Sequence, residues 1–95
     1  MKDLGLRIRA ARKLHGYSTE KLGQVSGVSV ATISRAETGI HVPNLISAFC
    51  IAETLHVSLD WLTGRAPAIR DTEIKAEEML KNGEIKFKAT ASIGH

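Results

Sequence analysis

Apolar residues recur along this chain in short blocks with helical spacing, and most blocks are bracketed by a capping residue and a glycine. Over 4–14, Leu4, Ile8 and Ala11 fall on one stripe, and Gly16 stands near the stop, so the spacing predicts a first helix there. Residues 18–39, STEKLGQVSGVSVATISRAETG, read as a short helix, a tight glycine turn and a second short helix closed by another glycine. Ser18 and Ser29 are placed as N-caps, where a hydroxyl accepts from an otherwise unpaired helix N–H. Tyr17 with Leu22, and Val28 with Ile33, have the spacing of a hydrophobic staple, which fixes the angle at which the chain enters each helix. Gly27 and Gly39 suit the left-handed conformation that ends a helix. Leu22, Val25, Val28 and Ile33 are expected to face one small core. Taken alone, this hairpin fits a DNA-binding helix-turn-helix and a plain αα-hairpin about equally.

The pattern continues as further helices. After a loop, IHVP, Asn44 caps a helix over 45–55, with Leu45, Ala48, Phe49, Ala52 and Leu55 at three-to-four spacing. His56 follows in a turn that suits positive φ. Ser58 caps a short LDWLT helix with Asp60 in its first turn, Val57 and Leu62 repeat the staple, and Gly64 ends it. RAPAI reads as a linker. Asp71 or Thr72 then caps a helix over 72–81, which ends at Asn82 and Gly83. EIKFKA alternates, with Ile85, Phe87 and Ala89 on one side and Glu84, Lys86 and Lys88 on the other, which is the pattern of a half-buried short strand. The expected fold class is all-α: five helices over residues 1–65, then a C-terminal extension, 66–95, with one helix and that strand. A lone strand lacks a partner in a helical domain. It pairs with its copy in a second subunit, docks another protein or is a tail, and the first reading is favoured. The closing TASIGH carries no legible signal.

Composition narrows the function classes. Ninety-five residues make one small domain with a thin core, and 4% aromatic content suits helices packed through Leu, Ile, Val and Ala. No apolar run approaches the ~20 residues that span a bilayer, so no membrane role is expected. The charged N-terminus does not read as a secretory signal. The single cysteine, Cys50, excludes an internal disulfide and fits a reducing cytoplasm; its place in an apolar stripe suggests a small core residue. The net charge of +3 favours an anionic partner only weakly, but Arg7, Arg9, Arg12 and Lys13 crowd the first helix and Lys2 precedes it. His15, His41, His56 and His95 lack metal-ligand spacing, and neither a phosphate loop nor a nucleophile–base pair is visible. No metal, no cofactor and no enzymatic activity are expected.

Residues 5–64 together resemble the phage-repressor helix-turn-helix family, the Cro/CI type of XRE-like transcriptional regulators. RIRAAR, the helix-turn-helix itself, ISRAETG, Pro43 after the loop and IAETLHVSLDWLTG carry the likeness. The resemblance implies a lambda-repressor-like fold and a sequence-specific regulator of transcription, a repressor that occupies a palindromic operator in double-stranded DNA as a homodimer. It also implies that Arg12 and Glu37 form a structural ion pair, and that a recognition helix over 30–37 enters the major groove. The exposed positions there would be Val30, Ala31, Ser34 and Arg35, with Ser29 and Thr32 at the edge and Ile33 and Ala36 inward. Arg35 alone can grip a guanine bidentately; Thr32 and Ser34 can bond bases or phosphates; Val30 and Ala31 offer apolar contact only. Many relatives carry Gln, Arg or Lys at those two positions, so DNA shape and phosphate contacts are expected to contribute more here. Thr19, at the start of the second helix, Arg9, Thr38 and His41 complete the expected DNA-binding set. Gly23 replaces a usual alanine and suggests close helix packing. The alternative is an antitoxin or other interaction protein whose C-terminal extension binds a partner protein.

Overall fold

The structure, a computed structural model, describes residues 3–85. Six helices follow in order among them: α1 (Leu4–Leu14), α2 (Thr19–Ser26), α3 (Val30–Glu37), α4 (Leu45–Leu55), α5 (Leu59–Leu62) and α6 (Asp71–Lys81). The described residues contain no strand, and the expected strand lies outside them apart from its first residues, Glu84 and Ile85. Most of the helix starts are fixed by one side chain each. Ser18, Ser29, Asn44 and Ser58 accept from the backbone N–H of Lys21, Thr32, Ser47 and Trp61 at 2.8–3.1 Å. α4 ends on His56 in the left-handed conformation (φ 59°, ψ 41°), where its N–H closes back on the last turn.

α1 runs through the middle of the fold and packs against α3, α4, α5 and, most extensively, α6. Leu4, Ile8, Ala10 and Ala11 meet Leu22, Ile33, Ile51, Leu55, Trp61 and Leu62 in one core. α6 joins the same core through Ala76, and Ile85 follows it there. The motif and its extension therefore share one hydrophobic interior.

Gly5 decides how closely α1 approaches α3. A Cβ there would fall against the carbonyl oxygen of Ala36 and 2.6 Å from that of Glu37. Gly23 plays the same part between α2 and the turn: a Cβ would lie 3.0 Å from the Val28 carbonyl oxygen and 3.2 Å from Val30 Cγ2.

Three sequence expectations need correction. Val25 is half exposed because α2 is short and buries only Leu22. On α4 the inward stripe is Ala48, Ile51, Ala52 and Leu55, while Leu45 and Phe49 face outward, 71% and 53% exposed. Both stripes have helical spacing, and the packing selects the one that contains Ile51. α6 begins one residue earlier than expected, after Arg70, and neither Asp71 nor Thr72 caps it. Glu73, fully buried, takes that part. Its carboxylate accepts from the backbone N–H of Ile69 and Arg70, both at 3.0 Å, and from that of Ser58 at 2.7 Å, so one side chain holds α6 to the start of α5. Burial pushes the Glu73 carboxyl up, but those N–H groups and the Ser58 hydroxyl outweigh it and leave it below the usual 4.5.

Candidate nucleic-acid interface

α3 is presented by an ion cluster at its C-terminal end. Glu37 is 1% exposed and lies in contact with α1. Arg12 Nε donates to Glu37 Oε2 at 2.6 Å and Arg12 Nη2 to Oε1 at 2.9 Å. This is the two-bond geometry in which a planar guanidinium matches a carboxylate. Arg12 Nη1 also donates to the Tyr17 carbonyl at 2.9 Å, which ties in the turn before α2. Arg9 Nε reaches Glu37 Oε1 at 3.1 Å. Three elements are thus locked together by one buried carboxylate.

With its C-terminal end and its Ile33–Ala36 side held inward, α3 turns one face to solvent. Val30, Ala31, Ser34 and Arg35 are exposed on it, as is the N-cap Ser29, and Thr32 is half-buried at the edge. Some of these polar groups bond each other: Ser29 Oγ donates to Thr32 Oγ1 at 2.8 Å, and the Thr38 hydroxyl donates to the Ser34 carbonyl at 3.0 Å. Ser29 Oγ also accepts from the Thr32 N–H, so one acceptor site remains on each of Ser29 and Thr32 and two on Thr38.

Two open grooves flank this ridge. The first, about 450 Å³, is lined by α1, α2 and α3 and includes Arg9, Lys13, Thr19, Ser34 and Thr38. The second, about 230 Å³, lies between α3 and the start of α4 and includes Thr32, Arg35 and His41. Seven of the ten expected DNA-binding residues therefore line a groove beside α3; Ser29, Val30 and Ala31 stand outside both.

The basic first helix does not act as one stripe. Arg7 turns away from the grooves, with its guanidinium 5.5 Å from the centre of the Trp61 ring and 3.9 Å from Glu77. Trp61 Nε1 donates to the same Glu77 carboxylate at 3.0 Å, so Arg7 belongs to the junction of α1, α5 and α6. Arg9 and Arg12 meet Glu37, and Lys13 is the exposed cation of the four. Lys2 lies outside the described residues. Glu20, which sequence reasoning did not place here, lines the first groove and accepts from the Thr19 hydroxyl at 3.2 Å, setting a negative charge where a phosphate was expected. Asn44 and Ser47 line the second groove and were also missed; their capping signature spoke only of helix α4.

Chemically the surface offers one bidentate donor, Arg35, several hydroxyls, and the free N–H groups at the starts of α2, α3 and α4. Such a set can donate hydrogen bonds to an anionic surface. Among the described residues no group of three or more His, Cys, Asp or Glu could hold a metal ion, and no helix is long and apolar enough to cross a membrane.

Comparison with known proteins finds relatives of the sequence. A family model described as helix-turn-helix matches residues 8–62. The chain is 38% identical over 58 residues to an uncharacterized HTH-type transcriptional regulator, YazB, of Bacillus subtilis strain 168, covering 61% of this chain and 84% of that protein. It is 34% identical over 59 residues to YgzD of the same strain, also an uncharacterized HTH-type transcriptional regulator, covering 59% of this chain and 89% of that protein. No solved structure matches it significantly.

Proposed function

This chain belongs to the helix-turn-helix family, and on that premise we propose that it is a transcriptional regulator that reads double-stranded DNA through α3. One observation carries the reading: the exposed face of α3 holds Val30, Ala31, Ser34 and Arg35, while Ile33, Ala36 and Glu37 fasten its other face to the domain. A helix held so rigidly by a buried ion cluster is suited to insertion in a major groove, because little order is lost on binding. The names of the two Bacillus relatives support the same class.

Arg35 supplies direct readout of a guanine, and Val30 and Ala31 pack against thymine methyl groups. Lys13, Thr19, Thr38 and His41 position the domain on phosphates, with Arg9 at the groove wall. The regulator acts as a homodimer on a palindromic operator and represses by occupying it, since one domain of this size covers little DNA. Selection of bound sequences from random duplex DNA tests the reading. The expected result is an enriched palindrome with half-site centres about 10 bp apart, and affinity that falls steeply with salt. Absence of any enriched motif would refute it.

A further inference from the structure

We propose that the apolar face formed by Ile40, Val42, Leu45, Ile46 and Phe49 is the contact surface for a second copy of this chain. This deepens the reading above, on which it rests for the need of two copies, by naming where they meet. Of the ten large apolar residues exposed among the described residues, these five fall between positions 40 and 49. Leu45, Ile46 and Phe49 share one side of the first turns of α4 by helical spacing, and Ile40 and Val42 lead into it from the loop. Their exposures run from 53% to 74%, a patch of roughly 500 Å², which is at the upper end for an unpartnered surface.

Charge selects the occupant. Residues 40–52, IHVPNLISAFCIA, contain no Asp, Glu, Lys or Arg in a chain that is 24% charged. A two-fold contact sets a surface against its own copy, so any charge near the axis meets itself. An uncharged apolar face avoids that repulsion, and DNA phosphates have no use for it. The described part of the C-terminal extension, residues 66–85, offers less: α6 uses Ala76 within its own chain, Met79 and Leu80 pack against the same core, and Ile69 and Ile74 are left exposed.

Size agrees as well. Two such patches bury about 1,000 Å² of apolar surface, which with a polar rim reaches the low end of stable interfaces. The patch adjoins the second groove through Val42, so a two-fold axis through the patch brings that groove of each copy near the axis.

The test is sedimentation equilibrium of the full chain and of the Ile46→Glu/Phe49→Glu variant, with circular dichroism to show that the variant, altered only at exposed positions, keeps its helices. The wild type should dimerise in the micromolar range, and the variant's dissociation constant should rise at least about 100-fold. Mixing it with an Ile46→Lys/Phe49→Lys variant should restore a dimer. A wild type that stays monomeric, or a folded variant that dimerises as before, overturns the proposal: the first outcome assigns the face to a different protein, the second places the dimer contact elsewhere. Binding to a duplex with one half-site, measured alongside, keeps the two readings apart. If dimerisation responds as expected while neither protein binds any selected DNA, the interface stands and the DNA-reading function fails.

Discussion

Glu37→Ala probes the element on which the whole reading surface depends. The substitution removes a carboxylate that is 1% exposed and leaves the Arg9 and Arg12 guanidinia facing one another, their side chains only 12% and 11% exposed. Breaking a buried pair costs about 3–5 kcal/mol, because an uncompensated charge remains. Here each guanidinium keeps some contact with water, so the lower end, about 3 kcal/mol, is expected. In a domain of this size 1 kcal/mol moves the melting midpoint by roughly 4–8 °C, which gives a fall of about 12–24 °C. Thermal melts followed at 222 nm, checked by urea unfolding, measure it. The two arginines should not be equal. Arg12→Ala loses two short bonds to Glu37, where Arg9 makes one of 3.1 Å to that carboxylate, and also the bond to the Tyr17 carbonyl, so it should loosen the hold on Glu37 more than Arg9→Ala does. A Glu37→Ala loss below about 1 kcal/mol would refute the reasoning, since the cluster would then be as weak as a surface ion pair. DNA affinity should fall with stability although Glu37 faces α1, because the pitch of α3 would no longer be held.

Three further outcomes are expected. Gly5→Ala should cost about 2–3 kcal/mol in urea unfolding, because backbone carbonyls must move to admit its Cβ, while Gly23→Ala should be within about 1 kcal/mol of neutral, its milder contacts offset by better helix propensity; equal effects would count against the close α1–α3 approach. Glu73 ionises more readily in the folded state than in the unfolded chain, so its contribution is fully present above about pH 4.5 and is lost as the pH falls through its lower folded value. Melts followed by Trp61 fluorescence from roughly pH 3 to 6 should show that loss in the wild type and a flatter profile in Glu73→Gln; parallel profiles would remove Glu73 from the account. Arg35→Ala should lower binding to a selected operator by about 1–3 kcal/mol and relax preference at one base pair, measured by competition with single-base variants; unchanged affinity and specificity would show that α3 is not the reader.

What the amino-acid order determined by itself is local. Ser18, Ser29, Asn44 and Ser58 each bond an N–H three residues on, Gly27 and Gly39 end their helices, and His56 takes the left-handed conformation. Such signals act within one helical turn, so they are legible without knowing what packs on what. The exposed face of α3 was legible for the same reason, since a helix with Ile33 and Ala36 inward must turn Ser34 and Arg35 out. Tertiary structure alone decided the rest. The α4 stripe had two solutions of equal periodicity, and contact with its neighbours chose Ile51 over Leu45 and Phe49, leaving the apolar face at 40–49 uncovered. Arg7, Arg9 and Lys13 look alike as basic residues of one helix, yet helical rotation sends them to Trp61, to Glu37 and to solvent. Gly5 and Glu73 are unremarkable in the sequence, and their roles exist only where a second backbone comes within reach. Caps and turns are written in neighbouring residues, whereas close approach, charge pairing and uncovered surface depend on which distant segments the fold brings together.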